Sequence, residues 1–364
     1  MIYLDANATE PLRPEARAAV LAALDVVGNP SSVHAAGRAA RKLLEEARES
    51  LAARFGAAPA EVIFCSGATE ANAMAIHGLG QNRSVIIGAT EHDAVRAQVP
   101  HARVLPVDRD GVADLDVLAS WLAEGPPALV CLMAANNETG TIQPIAEAAA
   151  LCRRYGAFLH VDAVQAAGRL ALKFAALGAT SMAISSHKLG GPSGAGALLL
   201  AEEGAAAFIP LLRGGGQERA RRGGTPALAA IAGFAAAATA ADPAAAEKLL
   251  PLRTAIEAKA KAEGAIVISA GALRLPNTVC LALPGVAADR QVIALDLAGI
   301  AVSAGAACSS GKVSQSHALA AMGLGPLAGQ AIRVSLPWNA TAADIDAFAT
   351  AYAAMRSRLC RPAA

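Results

Sequence analysis

The stretch SMAISSHKLGGPSGAGALLL (181–200) holds two apolar runs separated by a turn of small residues. The first run ends at Ser185, and a His-Lys pair follows at once. Similar runs lie upstream: EVIFCS (61–66), SVIIGA (84–89), ALVCLMAA (128–135) and AFLHVDA (157–163), while GALLLA (196–201) closes the stretch itself. Helical patterns fill the intervals. The clearest, AAGRAARKLLEEARESLAARFG (35–56), sets Leu43, Leu44, Ala47 and Leu51 along one face and ends in Gly56, a natural stop. Apolar strands this continuous, separated by helices, predict a parallel or mixed α/β sheet covered on both faces.

Downstream, DPAAAEKLLPLRTAIEAKAKAEG (242–264) reads as one long connecting helix. Beyond it come AIVIS, NTVCLAL, a helix around 287–298, IAVSAG, a further helix, AIRVSL and a last helix from about 341, where Thr341 and Asp344 form a capping box. This part predicts a smaller α+β domain.

With 364 residues the chain can bury a large core, and much of its hydrophobic content of 54% is alanine. The most apolar long run, PALAAIAGFAAAATAA (226–241), is short for a membrane span and reads as a buried helix. A formal charge of +1 without charge blocks gives no expectation of nucleic acid or membrane binding. The opening MIYLDANATE lacks the pattern of a secretory leader, and the six cysteines form no Cys-x-x-Cys pair. A cytoplasmic chain with reduced thiols and no metal site is expected.

In open α/β sheets ligands bind at the carboxyl ends of the strands, so the residues after each apolar run carry the chemistry. GATEANA (67–73) opens a helix whose free N–H groups suit an anion, although Thr69 also fits an ordinary helix cap. His92 follows one run and fits an ordinary surface residue equally well; NNETG (136–140) fits a plain turn. Asp162 serves either as a cap or as a buried carboxylate awaiting a cationic partner. Most lysines are surface residues, but Lys188 lies at a strand end beside an open glycine-rich turn. A desolvated lysine there becomes a nucleophile toward carbonyls. Pyridoxal 5′-phosphate requires a Schiff-base lysine, an acid facing the pyridine nitrogen and a phosphate cup, and Lys188, Asp162 and Gly67-Ala68-Thr69 supply them.

Eight segments then appear in one order: GNPSSVHAAGRAARKLLEEAR, SGATEANA, TEHDAV, NNETGTIQPI, HVDAVQAAG, SSHKLGGPSGAGAL, GGGQERARRGGT and AGAACSSG. With them the chain resembles the cysteine desulfurases of the class V aminotransferase group, fold-type I pyridoxal-phosphate enzymes. The resemblance implies a mainly parallel seven-stranded sheet flanked by helices in a large domain (14–255), and a small domain (1–13 and 256–364) carrying a catalytic cysteine loop. It implies that Lys188 holds the cofactor, Asp162 pairs with the pyridine nitrogen, His92 stacks on the ring as a further catalytic residue and Gln165 meets the phenolic oxygen, with Asn137 close to that side and to the substrate. Ala68, Thr69, Ser185 and His187 would hold phosphate, joined by Thr225 from the other subunit of a homodimer. Arg333 would clamp the substrate carboxylate, a bidentate task suited to a guanidinium, and Asn29 would be a second substrate-side residue.

Cys308 lies in VSAGAACSSGKVSQSH (302–317), among small and polar residues, whereas four other cysteines sit in apolar runs. Its thiol suits sulfur transfer, and a transient role as a cluster ligand is compatible with it. The resemblance thus implies removal of sulfur from L-cysteine, leaving L-alanine and a Cys308 persulfide that passes to an acceptor such as an iron–sulfur scaffold protein. The alternatives are a selenocysteine lyase, another class V aminotransferase, or a non-catalytic sulfur-relay protein of the same fold. GAACSSGK (305–312) imitates a nucleotide-binding P-loop, but Ala306 and Val313 occupy positions that motif reserves for Gly and Ser/Thr. GLGQNR (78–83) lacks the third glycine of a dinucleotide fingerprint. The chain also departs from the family it resembles. Ser186 replaces a usual glycine, Glu10 stands where a second threonine is common, and AACSSG replaces a SACTSG-like text.

Overall fold

The computed structural model describes residues 1–305 and 315–360, so Cys308 lies outside the described residues. Thirteen strands run through these residues. They are β1 (Ile2–Tyr3), β2 (Val62–Cys65), β3 (Ser84–Gly88), β4 (Arg103–Leu105), β5 (Ala128–Met133), β6 (Phe158–Asp162), β7 (Ser181–Ser185), β8 (Gly196–Leu200), β9 (Ile266–Val267), β10 (Thr278–Ala282), β11 (Ile300–Ala301), β12 (Ser303–Ala304) and β13 (Ala331–Ser335).

Seven strands form the larger sheet, in the order β2-β8-β7-β6-β5-β3-β4. All neighbours are parallel except β8, which runs against both β7 and β2. The connection from β7 to β8 explains the exception: residues 186–195 are too few to build the helical crossover a parallel return requires. Side chains alternate between two cores. Phe64, Val130, Leu159, Met182 and Leu199 face one, with Leu51 and Phe55 of the Ala35–Phe55 helix. Ile63, Leu129, Ala183 and Leu198 face the other, with Met74 and Leu79 of the Ala68–Leu79 helix. Burial on both faces is why the strands read as unbroken apolar runs. Gly56 stops the first of these helices in the left-handed conformation, φ +63°.

The second sheet is antiparallel, in the order β12-β13-β10-β9. It packs its own core, including Leu281, Val334 and Phe348, against the helices Leu250–Ala262 and Ala342–Leu359. β1 pairs in parallel with β11, which ties the N-terminus to this later part. Thr341 and Asp344 form the expected capping box.

Two expectations are corrected. The single helix over 242–264 is two, Pro243–Glu247 and Leu250–Ala262. Pro251 has no N–H to give to the preceding turn and its ring would clash there, so the helix restarts instead of continuing. The run IAVSAG is likewise split into β11 and β12 at Val302. The Leu228–Ala240 helix is largely buried, as expected. Among the described residues no single helix is long and apolar enough to cross a membrane.

Candidate active site

The carboxyl ends of β2, β6 and β7 lie close together because β8 bridges β2 and β7 while β6 pairs with β7. Asp162 is therefore the last residue of β6, opposite Ala183, and Lys188 ends the short helical turn that follows β7. A cavity of about 640 Å³ opens here. Ala68, Thr69, His92, Asn137, Asp162, Gln165, Ser185, His187, Lys188 and Arg333 all line it, so a single space collects residues scattered over some 265 positions of chain. Arg333 arrives from the other sheet, on β13, where it sits opposite Cys280 and Ser303.

Two expected residues stand apart. Thr225 lines a neighbouring pocket with Ser66 and Gly194. Asn29 does not line the cavity; its Oδ1 accepts a hydrogen bond from the Ser31 amide at 2.9 Å.

Lys188 donates through Nζ to the backbone carbonyl of Asn7 and to that of Ala8 at 2.9 Å. His187 beside it is pushed down to about 4 by burial and by the adjacent lysine charge, so its imidazole is neutral near neutral pH. His92 caps the short Asp93–Arg96 helix, its Nδ1 accepting from the Ala94 amide at 3.0 Å. A neutral His92 therefore carries its proton on Nε2.

Asp162 receives a donor on each oxygen. The Val164 amide reaches Oδ1 at 3.0 Å and Asn72 Nδ2 reaches Oδ2 at 2.7 Å. Behind Asn72 the chain continues: its Oδ1 meets His160 Nε2 at 2.8 Å, and His160 Nδ1 meets Ser181 Oγ at 2.8 Å. Burial pushes His160 down to about 3, so it is neutral. Since Asn72 gives its amino group to the carboxylate, its carbonyl accepts from His160 Nε2–H, and Nδ1 is left to accept from Ser181. Asn72, His160 and Ser181 are fully buried, and every link is satisfied. Replacing Asn72 by Leu strands two polar atoms at once. A loss of about 3 kcal/mol is expected in urea denaturation of the variant, at one to three per buried orphan.

Sequence reasoning missed Asp5, Asn72 and Glu138. Arg333 donates to Asp5 Oδ1 at 2.7 Å and to the Asn137 carbonyl at 3.1 Å, while Ser303 holds the other Asp5 oxygen. Arg333 Nε is buried with no hydrogen-bond partner among the described residues. A guanidinium on the cavity wall, already oriented by an aspartate, suits an incoming carboxylate. Asn72 lies one helical turn beyond Thr69 on the same helix, which was its legible signal.

Glu138 accepts a 2.6 Å hydrogen bond from Ser316 Oγ. Burial pushes its carboxyl from the ordinary 4.5 up to about 7, although Ser316 and Arg333 pull the other way. The folded protein thus holds a proton that the unfolded chain has released. Stability contributed here falls as pH rises from about 4.5 to about 7 and is level above that. The loss is on the order of 3 kcal/mol. Glu138→Gln is therefore expected to gain stability over the native protein at pH 8 but not at pH 4.5, by urea midpoints.

The donor set fits pyridoxal 5′-phosphate: a primary amine, a carboxylate fastened from behind, and the N-terminus of a twelve-residue helix share one cavity with the Arg333 guanidinium. A family model described as Aminotransferase class-V matches residues 2–348. The chain is 40% identical over 363 residues to a cysteine desulfurase of Cereibacter sphaeroides, spanning 95% of this chain and 93% of that one. It is 38% identical over 371 residues to an IscS-like cysteine desulfurase of Mycobacterium tuberculosis (strain ATCC 25618 / H37Rv), spanning 95% and 94%. Its fold superposes on a NifS-like protein from Rickettsia africae ESF-5 with a TM-score of 0.91 and 33% identity, covering 98% and 99% of the two chains. With its lysine at the end of β7 and its carboxylate at the end of β6, this chain belongs to the class V aminotransferase family, on the branch occupied by the cysteine desulfurases.

Proposed function

We propose that the chain removes sulfur from L-cysteine, releasing L-alanine and handing the sulfur through Cys308 to an acceptor protein, with iron–sulfur cluster assembly as its purpose. The observation that carries this reading is the meeting of Lys188, Asp162, the Ala68–Leu79 helix start and Arg333 on one cavity. Pyridoxal 5′-phosphate, when bound, supplies a carbonyl for amines and a ring that draws electrons from the substrate's α-carbon.

The protein's residues do the rest. Lys188 holds the cofactor and afterwards takes the substrate's α-proton on Nζ. Asp162, backed by Asn72, holds the proton on the ring nitrogen. Ala68, Thr69, Ser185 and His187 receive the phosphate, with neutral His187 acting as a hydrogen-bond partner instead of a counter-charge. Arg333 orients the substrate carboxylate, and Asp5 orients Arg333. The Cys308 thiolate takes the sulfur atom as the substrate's carbon–sulfur bond breaks, so thiol plus cysteine becomes persulfide plus alanine and no outside oxidant is needed.

Thr225 lines a pocket that shares Ser66 and Gly194 with the cavity, and we infer a homodimer in which it reaches the partner's phosphate site, with Asn29 a further substrate-side residue. We further divide the chain into a large domain (14–255) and a small domain (1–13 with 256–364); the β1–β11 pairing supports assigning the first residues to the second unit.

The test is to supply the purified chain with pyridoxal 5′-phosphate and L-cysteine, then measure alanine and map sulfur adducts by mass. Alanine in step with a persulfide at Cys308 is expected. Amino transfer to a keto acid without any persulfide would replace the proposal with an aminotransferase.

A further inference from the structure

Gln165 lines the cavity and is nearly buried, and its amide is held from both ends. Arg169 Nη1 donates to Gln165 Oε1 at 2.7 Å and to the Gln165 backbone carbonyl at 3.0 Å. On the other side Gln165 Nε2 donates to the Asn7 carbonyl at 3.0 Å. A guanidinium only donates, so the amide atom facing Arg169 has to be the oxygen, and the amino group is the end turned toward Asn7. Arg169 is 6% exposed and needs a counter-charge. Glu10 provides it: Oε2 accepts from Arg169 Nη2 at 2.9 Å, while Oε1 accepts from the Trp338 amide at 2.6 Å. Glu10 is the residue that departs from the threonine common in the resembling family, and it is itself 5% exposed.

We propose that Arg169, seated by Glu10, is a positioning residue that locks the Gln165 amide with its amino group as the donor presented to the cavity. An anionic oxygen on a bound ring then meets a fixed donor and never the amide's carbonyl end. This deepens the proposed function and rests on the cofactor reading for the identity of that oxygen; the locking itself belongs to the protein alone.

The double variant Glu10→Thr/Arg169→Met removes both charges together and leaves neither one buried alone. Its thermal midpoint checks that it folds. In apoprotein labelled with nitrogen-15, the Gln165 side-chain amide is identified by its disappearance in Gln165→Ala. Its hydrogen exchange is expected to be at least about tenfold faster in the double variant, because one of the two restraints is gone. With cofactor, the dissociation constant for pyridoxal 5′-phosphate is expected to rise about tenfold. The pH midpoint of the visible absorbance should move upward, since an anionic oxygen that loses a donor becomes more basic. Adding the double variant to Gln165→Ala should then change neither affinity nor absorbance midpoint beyond Gln165→Ala alone, because Arg169 acts through Gln165.

Native exchange, affinity and absorbance midpoint in the folded double variant would overturn the proposal and leave the pair a structural staple. Additive effects of Gln165→Ala would overturn it as well. If the native chain takes up no pyridoxal 5′-phosphate, the functional reading fails, and the exchange measurement on apoprotein still decides for or against Arg169.

Discussion

Lys188→Ala is expected to fold normally and to lose turnover by about 10⁴-fold or more. Folding survives because the amine donates to the Asn7 and Ala8 carbonyls at the cavity wall, where water can replace it at about 1 kcal/mol or less. Chemistry does not survive, because no described neighbour supplies a second primary amine. Lys188 is the lone lysine on the cavity wall among the described residues. His187 is neutral and its ring cannot anchor an aldehyde in the same way. Borohydride reduction followed by peptide mass mapping is the direct check. The native chain should carry the cofactor's mass on the peptide containing Lys188, and the variant should carry none. An adduct that persists in the variant would remove Lys188 from its assigned role.

Cys308→Ala is expected to bind pyridoxal 5′-phosphate like the native chain, form no persulfide and lose desulfuration by about 10⁴-fold or more. The argument runs through the other thiols. Cys65, Cys131, Cys152 and Cys280 are buried. Burial pushes Cys65 and Cys152 up to about 12 and raises Cys131 and Cys280 well beyond the ordinary thiol range. None of these can offer a thiolate near neutral pH. Cys360 is exposed, but it follows the last helix and does not line the cavity. Cys360→Ala is therefore the matched control and should keep full activity. Persulfide recovered on another cysteine of the Cys308→Ala variant, with turnover intact, would sink the assignment.

The larger sheet was legible because its strands are buried on both faces and so announce themselves as apolar runs. β4 was not: Arg103 and Val104 are exposed at the sheet edge, and three residues give no pattern to read. The broken helix at 248–249 was written in Pro251, whose signal the surrounding alanines and lysines masked. Within the site, side chains that end strands were legible from position alone, because the sheet brings all such ends to one place. What supports them was harder to see. Glu10 and Arg169 lie 159 positions apart, and Asn72 and Asp162 lie 90 apart. No local pattern links such pairs. Asn7 contributes a backbone carbonyl, to which sequence is blind.

That carbonyl has a mechanical consequence. The oxygen of Asn7 accepts from both Lys188 Nζ and Gln165 Nε2, so the first ten residues are clasped to the floor of the cavity by a cation. Once the amine is engaged elsewhere the clasp loosens, while β1 stays stitched to β11. Gln165 Nε2 and the Glu10–Arg169 pair still fasten the segment to the larger sheet, so Lys188 can leave its seat without unmooring the N-terminus.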